Sequence, residues 1–280
     1  MIDYPLALGM IRDAARQLQP QHCLAADAQG RVLASAVISE EYLPSFDNSA
    51  IDGFALQTGG RPLDAGAEFD VAGSQAAGDG HQRGGKDAWE IMTGARLPDG
   101  LDAVVPVEQA EVLLRDAGGS PSRIRLGAGV RPGQHVRRRG EDVLRGAVVM
   151  PAGTLLEPSH LMLLAALGVS GVDVACQPRV ALINTGRELV DDPVQALEPG
   201  QIRNSNGPFL AARIAAAGAR LVYRQTVGDE PEAFHAALAA AQQAGAEIVL
   251  STGAVSMGRY DFIPDALRPL GAEIRFHKVR

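Results

Sequence analysis

Residues 178–189 read PRVALINTGREL, and this stretch decides how the last third of the chain is understood. Val180 to Asn184 is a short apolar run that stops at Thr185-Gly186, the pattern of a strand running into a turn. Working outward, Phe209 to Ala217 predicts a helix, Arg220 to Val227 a strand and Phe234 to Ala244 a helix. Ile248 to Ser251 then predicts a strand, Phe262 to Leu270 a helix and Glu273 to Val279 a strand. Alternation of this kind specifies a three-layer α/β domain with a largely parallel sheet. Its helices are alanine-rich, with Phe209, Leu210, Ile214 and Phe234, Leu238, Ala241 as the expected inward stripes, so chemistry must be sought in the turns. Thr252-Gly253 echoes Thr185-Gly186 at the end of a second strand.

Upstream the pattern differs. Residues 5–19 place Met10, Ile11, Ala14, Ala15 and Leu18 at helical spacing, and Pro20 stops them. From Arg31 to Leu126 short apolar stretches, such as Glu90 to Thr93, Ala103 to Val107 and Arg123 to Leu126, are separated by Gly, Pro and Asp, which reads as β-rich. Glu157-Pro158 opens a short helix carrying Leu161, Leu164, Ala165 and Leu167, and Gly168 follows where a left-handed stop is favoured. The fold class is therefore α/β plus β-rich and multidomain, as the length of 280 residues suggests.

Twenty-six basic against 33 acidic residues leave a formal charge of −7, which argues against a nucleic-acid partner and requires any anion to be caught locally. Cys23 and Cys176 lie far apart with no metal-ligand or disulfide spacing, which fits a reducing cytoplasm. The longest strongly apolar run, Leu161 to Val169, is far short of a bilayer span, and the N-terminus lacks a leader pattern. A cytoplasmic protein without membrane association is expected.

In a parallel α/β sheet, ligands bind beyond the carboxyl ends of the strands. Glu188, Asp229, Ser256 and Asp261 all follow predicted strand ends. Three carboxylates on one edge suit a hard cation such as Mg²⁺, which takes oxygen ligands. The competing readings are local: Asp229 with Glu232 forms an Asp version of a capping box, and Asp261 can cap the helix entering Phe262. The turn from Ser251 to Gly258 is rich enough in small residues for a phosphate nest, or for a tight structural turn. Asn204-Ser205-Asn206 before Gly207-Pro208 reads first as a helix cap. In the β-rich half, Phe46 to Gly53 packs turn formers and two acids into either a surface turn or a polar pocket. Arg137, Arg138 and Arg139 beside Glu141 and Asp142 are either paired internally or the best local anion trap.

Order and spacing make these modest motifs specific together. FDNSAIDG at 46–53, IMTG at 91–94, RRRGED at 137–142, PAGT at 151–154, TGREL at 185–189, Asn206 in its NSN triplet and GAVSMGRYD at 253–261 resemble the MoeA-type molybdopterin molybdenumtransferases, related to the C-terminal part of gephyrin. The first and third are close to diagnostic. The resemblance implies a discontinuous connector domain (1–45 with 143–177), a β-rich domain (46–142) and a three-layer α/β molybdopterin-binding domain (178–280), in an elongated homodimer. It implies an enzyme of molybdenum cofactor biosynthesis that inserts molybdenum from molybdate into adenylylated molybdopterin and releases AMP, with molybdopterin adenylyltransferase as its upstream partner. Carried over by motif, Glu188, Asp229 and Asp261 serve magnesium, and Gly253, Ser256 and Gly258 the phosphate. Asp52, Thr93 and Asp142 come from the other subunit, and Arg137, Arg138 and Arg139 assist in holding the cofactor precursor.

Two departures stand out, Arg187 where the family has Asp and Ala254 where it has a second glycine. The family also continues past the position of Arg280 into a PGKP segment, a PGNPVS loop and a further β-rich domain that carry most molybdate contacts. These 280 residues alone are therefore expected to bind the nucleotide without completing insertion. A non-catalytic molybdopterin-binding or scaffolding homologue is the alternative that Arg187 favours. An adenylyltransferase would lack FDNSAIDG and RRRGED.

Overall fold

The computed structural model describes residues 1–253, 262–276 and 278–280. The chain mixes helix and strand with strands dominating, and divides into two compact units. One comprises Met1–Ala34, Leu155–Glu157 and Val172–Arg280, the other Ser35–Thr154 and Pro158–Gly171.

In the first unit the Arg179–Thr185 strand lies at the centre of a three-stranded parallel sheet, between Arg220–Val227 and Ile248–Thr252. It takes the centre because it is apolar on both faces: every residue from Val180 to Thr185 is buried, as a parallel strand covered on both sides requires. Register runs from Arg179↔Arg220 to Thr185↔Val227 on one flank and from Val180↔Ile248 to Asn184↔Thr252 on the other. Thr185, Val227 and Thr252 thus arrive at one edge. The helices Asn206–Ala216, Pro231–Gln243 and Ile263–Leu267 follow the predicted alternation. Ile183, Val227, Phe234, Ala237, Leu238, Ile263 and Ala266 form the core, and Phe234 meets Phe262 edge-on at 6.0 Å and 77°.

Three local expectations are corrected. Phe209 is 61% exposed, because the buried stripe of the Asn206–Ala216 helix runs through Gly207 and Ile214, leaving Phe209 on the opposite side. Glu273 to Val279 forms no strand among its described residues; Lys278 O accepts from Ile2 N and Ile2 O from Arg280 N, both at 2.9 Å, so this backbone bonds the N-terminus instead. The opening helix is Tyr4–Ala14, ending five residues before the periodicity does, because the chain from Gln19 turns to strand pairing: Gln19 O accepts from Cys176 N at 2.9 Å and Pro20–Leu24 pairs with Gly171–Ala175. Among the described residues no helix is long and apolar enough to cross a membrane.

The second unit is built on a six-stranded sheet ordered Ala103–Pro106, Gly53–Leu56, Ala88–Ile91, Glu68–Gln75, Pro121–Leu126, Ala110–Arg115. All neighbours are antiparallel except Glu68–Gln75 with Ala88–Ile91. All four residues of Gly53–Leu56 are buried: Phe54 and Leu56 enter one core with Val105, Ile124 and Leu126, and Ala55 enters another with Ile91, Leu97 and Val104. The helix Pro158–Ala166 buries Leu164, and Gly168 follows at φ 68°, the left-handed stop expected there.

Gly53 is where the two strands crowd. A Cβ there would lie 1.9 Å from Val105 O, so backbone must move to admit one. Gly53→Ala should lower stability by at least about 1–3 kcal/mol, the usual cost of overpacking, measured by denaturant or thermal unfolding. A wild-type midpoint would show that the strands can separate freely.

Candidate functional site

The carboxyl ends of the parallel strands are drawn together by backbone contacts. Gly186, at φ 146°, donates its N–H to Val227 O at 3.0 Å, and Arg187 N–H reaches Asp229 Oδ2 at 3.4 Å. Glu188 folds back over Gly186, so close that a Cβ there would sit 2.8 Å from both carboxylate oxygens. On the other flank Thr185 Oγ1 donates to Thr252 O at 3.0 Å, and Gly253, at φ 83°, approaches so tightly that a Cβ would lie 2.2 Å from Thr185 O. Glu188, Asp229 and Gly253 are thus brought to one edge. Asp229 makes no helix cap: the Pro231–Gln243 helix has Glu230 at its N-cap position and no side-chain cap bond. Ser256, Gly258 and Asp261 lie outside the described residues.

Beneath this edge lies a polar network that periodicity gave no reason to single out. Asn204 Oδ1 accepts from Gly207 N at 2.9 Å, capping the Asn206–Ala216 helix as the NSN reading anticipated. Its Nδ2 donates to Asp191 Oδ1 at 2.9 Å and Thr226 Oγ1 at 3.0 Å, and Arg224 pairs with Asp191 at 3.3 Å. Asn184 Nδ2 donates to Thr252 Oγ1 at 2.6 Å, while its Oδ1 is buried without a partner. Asp191 and Arg224 carry no local sequence signal; only the folded strand order joins them.

In the second unit the signature residues form two clusters. Asp52 Oδ1 accepts from Thr93 N at 2.6 Å and Thr93 Oγ1 at 2.7 Å, linking FDNSAIDG to IMTG. The Thr93 hydroxyl and then its N–H hold the Asp52 carboxyl below the ordinary aspartate range. Arg137 pairs with Asp142, Arg138 with Asp47 at 2.7 Å, and Arg139 stacks 4.1 Å over Tyr42 while its N–H bonds Asp47 at 2.7 Å. Burial pushes the Asp47 carboxyl up, but the Arg139 N–H and Arg138 guanidinium outweigh it and the net shift is down. Arg137 is therefore engaged within its own motif, and Arg138 and Arg139 with Asp47 and Tyr42. Phe46, Asp47, Arg96, Asp99 and Arg139 help line a cavity of about 380 Å³.

No group of three or more His, Cys, Asp or Glu side chains among the described residues is placed to hold a metal ion. The donor chemistry at the strand edge still fits magnesium, which needs only one or two protein carboxylates when substrate phosphates supply other oxygens. Glu188 and Asp229 provide two.

The first unit's parallel sheet, with carboxylates and a glycine at its carboxyl edge, is an α/β domain of the class that binds ligands beyond the carboxyl ends of its strands. Residues 181–280 match the family described as "Probable molybdopterin binding domain", and residues 2–168 match "MoeA N-terminal region (domain I and II)". The chain belongs to the MoeA family. It is 37% identical over 255 residues to a molybdopterin molybdenumtransferase of Synechococcus elongatus, covering 89% of this chain and 62% of that one. It is 35% identical over 260 residues to the Bacillus subtilis enzyme of the same name, covering 90% and 59%. The chain thus spans about three-fifths of these curated relatives. A crystal structure of the molybdopterin biosynthesis MoeA protein from Pyrococcus horikoshii superposes with a TM-score of 0.78 at 26% identity, over 100% of this chain and 69% of that one.

The Asp52–Thr93 contact is testable by titration. A folded-state pKa below the unfolded value contributes stability that is present above the unfolded pKa, about 3.9, and lost as pH falls through the folded value. NMR should place the Asp52 carboxyl below ordinary aspartate, and Thr93→Val should raise it. An unmoved titration would mean that the Thr93 hydroxyl does not hold Asp52.

Proposed function

We propose that this chain acts in molybdenum cofactor biosynthesis, in the step that transfers molybdenum from molybdate to adenylylated molybdopterin with release of AMP. The observation that carries this reading is the meeting of Glu188 and Asp229 on one strand edge, within the region that matches a molybdopterin-binding family. Magnesium bound there would neutralise charge on the phosphoanhydride oxygens. Glu188, Asp229 and Asp261 would hold it, and the backbone N–H groups of the turn from Gly253 to Gly258 would orient the phosphates. Placing both phosphates against fixed donors makes AMP a better leaving group as its charge develops.

In the same proposal the protein is a cytoplasmic homodimer, and Asp52, Thr93 and Asp142 of the partner subunit complete the site from the β-rich side. Asp52, kept ionised by Thr93, and Asp142, neutralised by Arg137, would then present one free and one masked charge to the pterin and the incoming molybdate. The proposed layout is a connector, a β-rich domain and a three-layer α/β domain. A molybdopterin-binding scaffold without turnover is the second reading, favoured by Arg187, whose backbone contacts Asp229 and whose side chain adds a positive charge beside the carboxylates.

The test is magnesium-dependent binding of adenylylated molybdopterin to the purified chain, with AMP release followed on adding molybdate. Glu188→Gln and Asp229→Asn should each weaken magnesium-dependent binding by about tenfold or more, the value of one charge-assisted contact, with folding intact. Unchanged binding in both variants would remove the assignment. Wild-type binding with no AMP release from a chain extended to the length of its relatives would favour the scaffold. Sedimentation at tens of micromolar, roughly where a standard interface is saturated, should show a dimer.

A further inference from the structure

The opposite, amino-terminal edge of the same parallel sheet carries a second cluster of charge. Arg179 and Arg220 begin neighbouring strands and are register partners, so two guanidiniums stand side by side at the sheet end. Like charges placed directly across a strand pair are destabilising unless something neutralises them. Glu247, at the start of the third strand, neutralises one: Arg179 N–H donates to Glu247 Oε2 at 3.0 Å and its guanidinium lies 3.5 Å from Oε1. The Arg179 N–H, chiefly, holds the Glu247 carboxyl below its ordinary range, so it stays ionised. Arg220 has no ion-pair or side-chain hydrogen-bond partner among the described residues, and neither has Arg16, which follows the opening helix.

All four residues line one cavity of about 590 Å³ within the first unit, with glutamines and Leu18 along its wall. That volume falls within the range of small-molecule sites, about 300–1,000 Å³. Helix C-termini at this edge do not explain the surplus charge. Gln177 Nε2 already donates to Gly218 O at 3.0 Å after the Asn206–Ala216 helix, and neither Arg16 nor Arg220 reaches such a carbonyl.

We infer that this cavity is a second ligand site, for a small organic phosphomonoester whose phosphate bridges Arg16 and Arg220 beside the Arg179–Glu247 pair. A dianion matches the two unpaired guanidiniums in charge, and a phosphate offers each planar fork two oxygens, which a monocarboxylate cannot do for both. The amides of Gln17 and Gln19 are left for the hydroxyls of the organic body. Lying at the other end of the strands from Glu188 and Asp229, the site is separate from the one proposed above and does not depend on it.

Isothermal titration of the purified chain with glycerol 3-phosphate, succinate and acetate tests this. Saturable one-to-one binding of glycerol 3-phosphate is expected, with succinate weaker and acetate silent. Arg220→Gln and Arg16→Gln should each weaken it by about tenfold or more, whereas Asp229→Asn should leave it unchanged. Ligand-free Arg220→Gln should melt no lower than wild type, because it relieves a like-charge pair. Absence of saturable binding, wild-type affinity in both arginine variants, or a preference for succinate would overturn the assignment.

Discussion

Parallel pairing of the Arg179–Thr185 strand on both flanks is the constraint from which the rest of the first unit follows. Parallel strands cannot be joined by tight turns, so each must be followed by a crossover, here a helix, and every carboxyl end falls on the same edge. Residues far apart in sequence, Glu188, Asp229 and Gly253, therefore meet without any local reason to do so. The same rule sends Arg179, Arg220 and Glu247 to the other edge. One topological fact thus makes a carboxylate end and a guanidinium end.

The carboxyl edge holds its geometry because backbone groups approach closely there and Thr185, Asn184 and Asp229 side chains bond across it. Gly186 and Gly253 bring neighbouring strand ends within reach of backbone oxygens, and no residue with a Cβ could take the second position without displacing Thr185. The second unit uses the same device at Gly53, under Val105 O. Gly53, Gly186 and Gly253 are in this sense packing residues that position the groups beside them. Asp52 points where it does because Gly53 lets two strands close.

Charge shows an opposite division. The conspicuous arginine run at 137–139 is consumed within the second unit, by Asp142, Asp47 and the Tyr42 ring. Arg16 and Arg220, with no motif around them, have no ion-pair partner among the described residues and share one cavity. Only the Arg137 guanidinium finds its acid within the run; Arg138 and Arg139 are met by Asp47 and Tyr42, which the fold brings from about ninety residues away. Isolation in sequence leaves the outcome to whatever the fold brings near.

The sequence by itself determined the elements whose signals are local. The buried run at 180–184, the strand–helix alternation through Leu270, the Asn204 cap before Gly207-Pro208 and the left-handed Gly168 are settled by apolar spacing and backbone freedom, which neighbours in the chain dictate. Motif order likewise carried family membership. Only tertiary structure decided that Phe209 faces outward, since the helix packs its Gly207 and Ile214 side on the sheet. It also decided that residues near 278 bond Ile2, that Asp52 is gripped by Thr93, and that Asp229 leaves its neighbouring helix uncapped to meet the Arg187 backbone. Each of these joins groups from distant segments, and the energy of such a contact exists only once strand order and register have placed its two ends.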